Sequence, residues 1–120
     1  MDNGKREKLV SIGINVEEAL ERFSDVEELY ERFLAKYIND SEFNTLEEAL
    51  LNNDFETAFT ACHTMKGFVG NLSIIPLYKL VFEETELLRN GTDVAGAVKF
   101  FPTVKEEYIR VTDVLKTIYS

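Results

Sequence analysis

The chain contains a single histidine, His63, and the residues spaced around it are chemically suggestive. Lys66 and Gly67 follow it by three and four positions, Gly70 by seven, and Phe59 precedes it by four. In a helix those spacings place all of them on one face. That face reads Glu56, Phe59/Thr60, His63, Lys66/Gly67, Gly70. A free imidazole has an ordinary pKa of about 6.5, so at pH 7 it is largely neutral and nucleophilic. Lys66 adds a mobile cation suited to a dianionic group. A helix-interior glycine costs about 1 kcal/mol relative to alanine, so two of them, three residues apart, call for an offsetting role. The absent side chain at Gly67 would open space above the imidazole for a phosphoryl group or a partner's loop. Each residue also has a plainer reading. A lone helical histidine is usually structural or solvated, and Lys66 alone reads as a surface lysine. Gly67 and Gly70 can permit close helix packing. Cys62 reads as a small core residue before a redox thiol. Phe59 fits either core or an apolar docking patch, whereas Phe68 leans toward packing under the first helices.

The elements that must position this face are helical almost throughout, with little strand-like alternation. Residues 1–8 are polar and predict a flexible N-terminus, and Leu9–Ile14, apolar at intervals, predicts a first helical turn. Asn15 with Glu18 resembles a capping box, opening a short helix from Val16 to about Phe23. The spacing of Leu29, Tyr30, Phe33, Leu34, Tyr37, Phe43, Leu46, Ala49 and Leu50 predicts one long helix over 26–52, with Asn39-Asp40-Ser41 as the place where it would bend. Asp54 caps a helix over 55–71, whose apolar stripe passes through Cys62 and leaves His63 at its edge. Pro76 opens a helix to about Arg89, stopped by Asn90-Gly91. The last helix spans about 94–119, with Val98, Phe101, Val104, Tyr108, Val111, Leu115 and Ile118 inward and a kink or split near Phe101 from Pro102. The expectation is an all-α fold: an antiparallel up-down-up-down four-helix bundle with one or two short N-terminal helices packed against it. If the chain reverses near Ser73, His63 lies level with about Glu83. Glu84 interrupts the stripe Leu77, Leu80/Val81, Leu87/Leu88, where a carboxylate needs a partner or an outlet to water.

The segment Ala61-Cys62-His63-Thr64-Met65-Lys66-Gly67-Phe68-Val69-Gly70-Asn71-Leu72 resembles the signature of histidine-containing phosphotransfer (HPt) domains. That signature is a histidine, any residue, an apolar residue, Lys and Gly, then a small and an apolar residue further on. Gly13 to Phe23 resembles the family's opening segment, and Glu27-Glu28-Leu29-Tyr30 its entry into a long helix. The resemblance covers roughly residues 9–118 and makes 9–120 the expected HPt domain. It implies that His63 takes a phosphoryl group from a receiver-domain aspartate, or from a kinase, and passes it to another receiver. It implies Lys66, Gly67 and Gly70 as neighbours of the phosphoryl group, and Phe59, Thr60 and Phe68 as docking candidates. The chain would then be a phosphocarrier and not an enzyme on its own, binding no cofactor, with Mg²⁺ supplied by the partner receiver. Two departures stand out. Ser73 occupies a position where relatives often have glycine. Relatives also often carry Gln or Glu 22 residues after the histidine to hold its second nitrogen, and that count lands on Thr85 here, flanked by Glu84 and Glu86. Glu84 or Thr85 is therefore the expected orienting residue for His63.

Composition bounds the alternatives. At 120 residues and 45% apolar content the chain suits one domain with its own core. One cysteine rules out an intrachain disulfide and fits a reducing compartment. No apolar run approaches the roughly 18 residues of a membrane span. The opening residues lack the apolar stretch of a signal peptide, so a cytoplasmic monomer is expected. A net charge of −9 disfavours nucleic acid and anionic lipid as partners. No metal site is expected, since no Glu-x-x-His pair of the di-iron kind occurs. Without a glycine-rich loop after a strand no nucleotide site is indicated, and the length leaves no room for a kinase's ATP-binding domain. Two function classes remain: a phosphorelay carrier working with response-regulator receivers or a hybrid histidine kinase, and a non-phosphorylated helical adaptor that binds a receiver or another signalling protein.

Overall fold

Short polar side chains set where most of the helices begin. The computed structural model describes all 120 residues. Its helices are α1 (Asn3–Ser11), α2 (Val16–Arg22), α3 (Glu27–Tyr37), α4 (Glu42–Leu51), α5 (Phe55–Asn71), α6 (Ile75–Leu88) and α7 (Val94–Tyr119). Asp2, Asn15, Asp54 and Asp93 accept hydrogen bonds from the amides of Lys5, Glu18, Thr57 and Gly96 at 2.7, 3.1, 3.1 and 2.8 Å. Each satisfies one of the orphan donors at a helix start. The Thr57 side chain and then its amide, both donating to Asp54, hold that carboxylate's pKa below its ordinary value.

Four expectations need correction. Residues 3–8, expected to be flexible, belong to α1; the Asp2 cap starts a helix that apolar periodicity does not reveal. The single helix over 26–52 is two helices. The backbone leaves the helix after Tyr37, and the Asp40 carboxylate accepts from the Glu42 amide at 2.8 Å to restart it. Pro102 does not split α7, which runs unbroken for 26 residues. Pro102 is exposed, and so is Val98 at 45%, contrary to its expected inward position. The Val98 carbonyl, which a proline four residues on cannot serve, therefore lies on the water side. At about 1.5 Å rise per residue, α7 is nearly as long as the 44 Å long dimension of the molecule.

Twenty-eight buried apolar residues form one core cluster. Within it α4 packs on α5, α5 on α6, and α6 on α7. Phe43 of α4 stacks on Tyr108 of α7 at 3.9 Å between centroids, and Lys105 pairs with Glu47 at 2.5 Å, so α7 also meets α4. No helix is long and apolar enough to cross a membrane.

The N-terminal segment clamps the turn between α5 and α6. The Asn15 amide donates to the Ser73 carbonyl at 3.1 Å, and the Ile75 amide to the Gly13 carbonyl at 3.2 Å. The Tyr30 hydroxyl, fully buried, donates to the Leu72 carbonyl at 2.7 Å. Ser73 takes φ +57° there and its hydroxyl donates to Glu18 at 3.2 Å. A glycine would suit that left-handed turn, and the serine achieves it with an added bond. These contacts fix the C-terminal half of α5, where Lys66, Gly67 and Gly70 sit.

Candidate functional site

Helix α5 turns Cys62 and Met65 fully inward, and this leaves His63 exposed. The Phe59 ring lies beside the imidazole, 5.7 Å between centroids. One turn onward the Lys66 ammonium sits 5.3 Å above the Phe82 ring of α6, a cation–π contact. A Cβ placed on Gly67 meets nothing within 4 Å, so this glycine serves no internal packing and leaves open space next to His63 and Lys66. Gly70 differs: a Cβ there would come to 2.8 Å from the Tyr78 ring. Its missing side chain lets the Tyr78 ring of α6 approach, which is the close-packing reading of this glycine. From Gly67 to Gly70 an open groove of 340 Å³ runs toward α2, edged by Lys66, Asn71, Tyr78 and Arg22.

The contacts Gly70–Tyr78, Lys66–Phe82 and Phe59–Arg89 share one antiparallel register between α5 and α6. His63 is thereby level with Thr85, two residues beyond the expected Glu83. Along this edge lie Tyr78, Phe82 and Glu86 of α6 and Arg89, the residue that follows its end, whereas Leu77, Val81, Glu84 and Leu88 form the core stripe. Phe82 is 43% exposed. The Arg89 guanidinium lies 5.1 Å from the Phe59 ring centroid, and its Nε donates to Glu86 at 2.7 Å.

Neither expected orienting residue reaches His63. The Thr85 hydroxyl is buried and donates to the Val81 carbonyl at 2.7 Å, lying 3.1 Å from the Cys62 sulfur. It answers a carbonyl of its own helix and the core thiol, so it is spent before it could turn outward. Burial pushes the Cys62 thiol up to about 12, which suits a core residue and not a redox centre. Glu84 is fully buried, and neither carboxylate oxygen has a hydrogen-bond partner. Burial, with the Glu83 charge adding to it, pushes its pKa up to about 8. The interruption of the apolar stripe marks a core carboxyl, not a histidine partner. His63 makes no side-chain hydrogen bond. Of the docking candidates, Thr60 is exposed with its hydroxyl donating to the Glu56 carbonyl at 3.2 Å. Phe68 is half-buried, packing edge-on to Tyr37 at 5.7 Å, so it lies away from the Phe59–His63 edge.

Sequence reasoning missed Phe82, Glu86 and Arg89. Their spacing of four and three is a legible second stripe along α6 and into the residue that follows it, but nothing local says which stripe faces His63. No group of three or more His, Cys, Asp or Glu side chains converges as a metal site. Comparison with family models, with curated proteins and with solved structures finds no match to this chain.

Proposed function

We propose that this chain is an HPt-type phosphocarrier in which His63 accepts a phosphoryl group from a receiver-domain aspartate and passes it to a second receiver. Helices α4 to α7 are read as its up-down-up-down four-helix bundle, with α1 to α3 packed at one side. The observation that carries this reading is the pairing of an exposed imidazole with Lys66 and an unfilled helical glycine, Gly67. A mid-helix glycine that packs against nothing costs stability without an internal return, so its open space is read as room for the incoming group.

In the proposed step an imidazole nitrogen of His63 forms an N–P bond as the P–O bond to the receiver aspartate breaks, and the electron pair leaves on that carboxylate. The return step runs the same way, with the acceptor's carboxylate as nucleophile and the imidazole as leaving group. Negative charge on the phosphoryl oxygens falls beside Lys66, whose ammonium can leave the Phe82 ring for a stronger partner. The Phe59 ring beside the imidazole, and the exposed Phe82 ring beneath Lys66, offer a partner a dry contact, which raises the value of each charge within it.

The test is incubation with phosphorylated receiver domains followed by mass analysis. Phosphate on His63 in the wild type, and none in His63→Gln, is the expected result. Absence of label on the wild type across a receiver panel, or persistence in His63→Gln, would overturn the reading; binding without transfer would identify an adaptor.

A further inference from the structure

We infer that the edge of the bundle between α4 and α7 is a self-association surface, on which a second copy of this chain docks about a two-fold axis. Helix α7 carries two apolar stripes. One is the core stripe through Ala97, Phe101, Val104 and Val111, all buried. The other is Ala95, Val98, Pro102, Lys105 and Ile109, spaced three and four apart and therefore on one face. Its four apolar members are all exposed, Ile109 at 44%. Beside them Leu51, at the end of α4, is 78% exposed, and a hollow of 170 Å³ lies between Leu50, Leu51, Val98 and Pro102. Lys99, Thr103 and Glu106 rim the strip with polar groups. A continuous apolar strip with a polar rim marks an interaction surface, whereas apolar residues exposed singly are ordinary.

Charge selects a second copy as the occupant. The chain carries −9 overall, so most of its surface repels another copy. Helix α7 has four Lys or Arg against three Asp or Glu, whereas α4 has Glu42, Glu47 and Glu48 and no cation. The edge thus sets a cationic helix beside an anionic one, and between them Lys105 pairs with Glu47 at 2.5 Å. A two-fold axis through this edge lays the α7 of each copy across the α4 of the other, so opposite charges meet twice. Pro102 leaves the Val98 carbonyl without a helical donor, and that acceptor opens into the strip. From Ala95 to Ile109 the strip is about 21 Å long at 1.5 Å rise, and it is two helices wide. That is less than a standard interface, so the association is weak, with a Kd on the order of 10–100 μM. The monomer expected from the sequence is its dilute limit. The α4–α7 edge lies across the bundle from the α5–α6 edge that carries Lys66 and Phe82. Both copies therefore keep that edge free, and the inference stands apart from the reading of His63.

Sedimentation equilibrium of the full chain, from about 5 to about 500 μM, brackets that Kd. The average mass is expected to rise from 13.8 kDa toward twice that value. Val98→Glu and Ile109→Glu each place a carboxylate at an exposed position, so the fold survives, and each should weaken association by about tenfold or more. Val26→Glu adds the same charge at an exposed apolar residue just before α3 and should leave association unchanged. In amide NMR spectra the concentration-dependent shifts should fall on Leu51, Val98 and Ile109 and spare His63 and Lys66. A mass of 13.8 kDa at every concentration would overturn the inference and leave the face to a different partner. Equal association of wild type and Val98→Glu, or shifts centred on α5, would overturn it by moving the contact elsewhere.

Discussion

Glu84 is the residue whose chemistry is least comfortable where it lies. A carboxyl with no exposed atom and no hydrogen-bond partner stays folded by keeping its proton. The native state holds that proton up to about pH 8, whereas the unfolded chain releases it near the ordinary 4.5. Between those values the native state binds more protons than the unfolded state. Stability therefore falls as pH rises, by up to about 1.4 kcal/mol per pH unit from this group, and the loss is complete above its native pKa. Replacing it with an apolar residue of similar size removes the whole dependence. Glu84→Leu is expected to be more stable than wild type by about 2–4 kcal/mol at pH 7, and equal or nearly so at pH 4.5. Urea unfolding of both proteins from pH 4.5 to 8.5 checks this, and parallel curves would show that Glu84 is not the proton holder. The sequence did expose this residue, as a break in an apolar stripe. It did not reveal whether the break faced the histidine or the core.

At the scale of elements, α5 carries two glycines with opposite purposes. Gly67→Ala should stabilise the chain by about 0.5–1 kcal/mol, because the helix gains propensity and the added methyl meets nothing. The same methyl enters the space kept beside His63, so phosphotransfer should slow. Gly70→Ala should destabilise by about 1–3 kcal/mol, since its methyl must displace the Tyr78 ring from 2.8 Å. Thermal melting sorts the two signs, and a transfer assay on Gly67→Ala separates stability from activity. The bounds of α5 were legible because its cap, its stripe and its stop are all local. The start of α1 was not, because Asn3 to Lys8 has no apolar face and only the Asp2 cap marks it. The division of α3 from α4 was half legible: Asn39-Asp40-Ser41 marked a bend, but the continuing apolar spacing on both sides read as one helix. Continuity of α7 through Pro102 was also hidden, since it depends on which side of the helix meets water.

For the whole molecule, the tie between the N-terminal segment and the α5–α6 turn decides how firmly the site is built. Gly13 sits at φ +86°, and a Cβ there would lie 2.3 Å from the Pro76 ring. Gly13→Ala combines left-handed strain with a clash against a rigid ring and should cost about 2–4 kcal/mol. Chemical denaturation measures the cost, and amide exchange locates it: the amides of Asn15 and Ile75, bonded across this tie, should lose protection before those in the middle of α5. Uniform loss of protection would indicate that the tie does not act separately from the core.

What the sequence by itself determined is what lies on one helix. His63, Lys66 and Gly67 share a face because residues three and four apart always do in an α-helix, and Cys62 turns inward for the same reason. What only the tertiary structure decided is what stands across from them. Successive helical side chains point about 100° apart, so the level at which α6 passes α5 chooses which of Glu83, Glu84, Thr85 or Glu86 meets the histidine. That level follows from a left-handed Ser73, the clamp by Gly13 and Asn15, and the close approach of Tyr78 over Gly70. Together they turn Glu84 and Thr85 into the core, leave Phe82 and Glu86 exposed, and set Phe82 under Lys66 and Arg89 on the Phe59 ring.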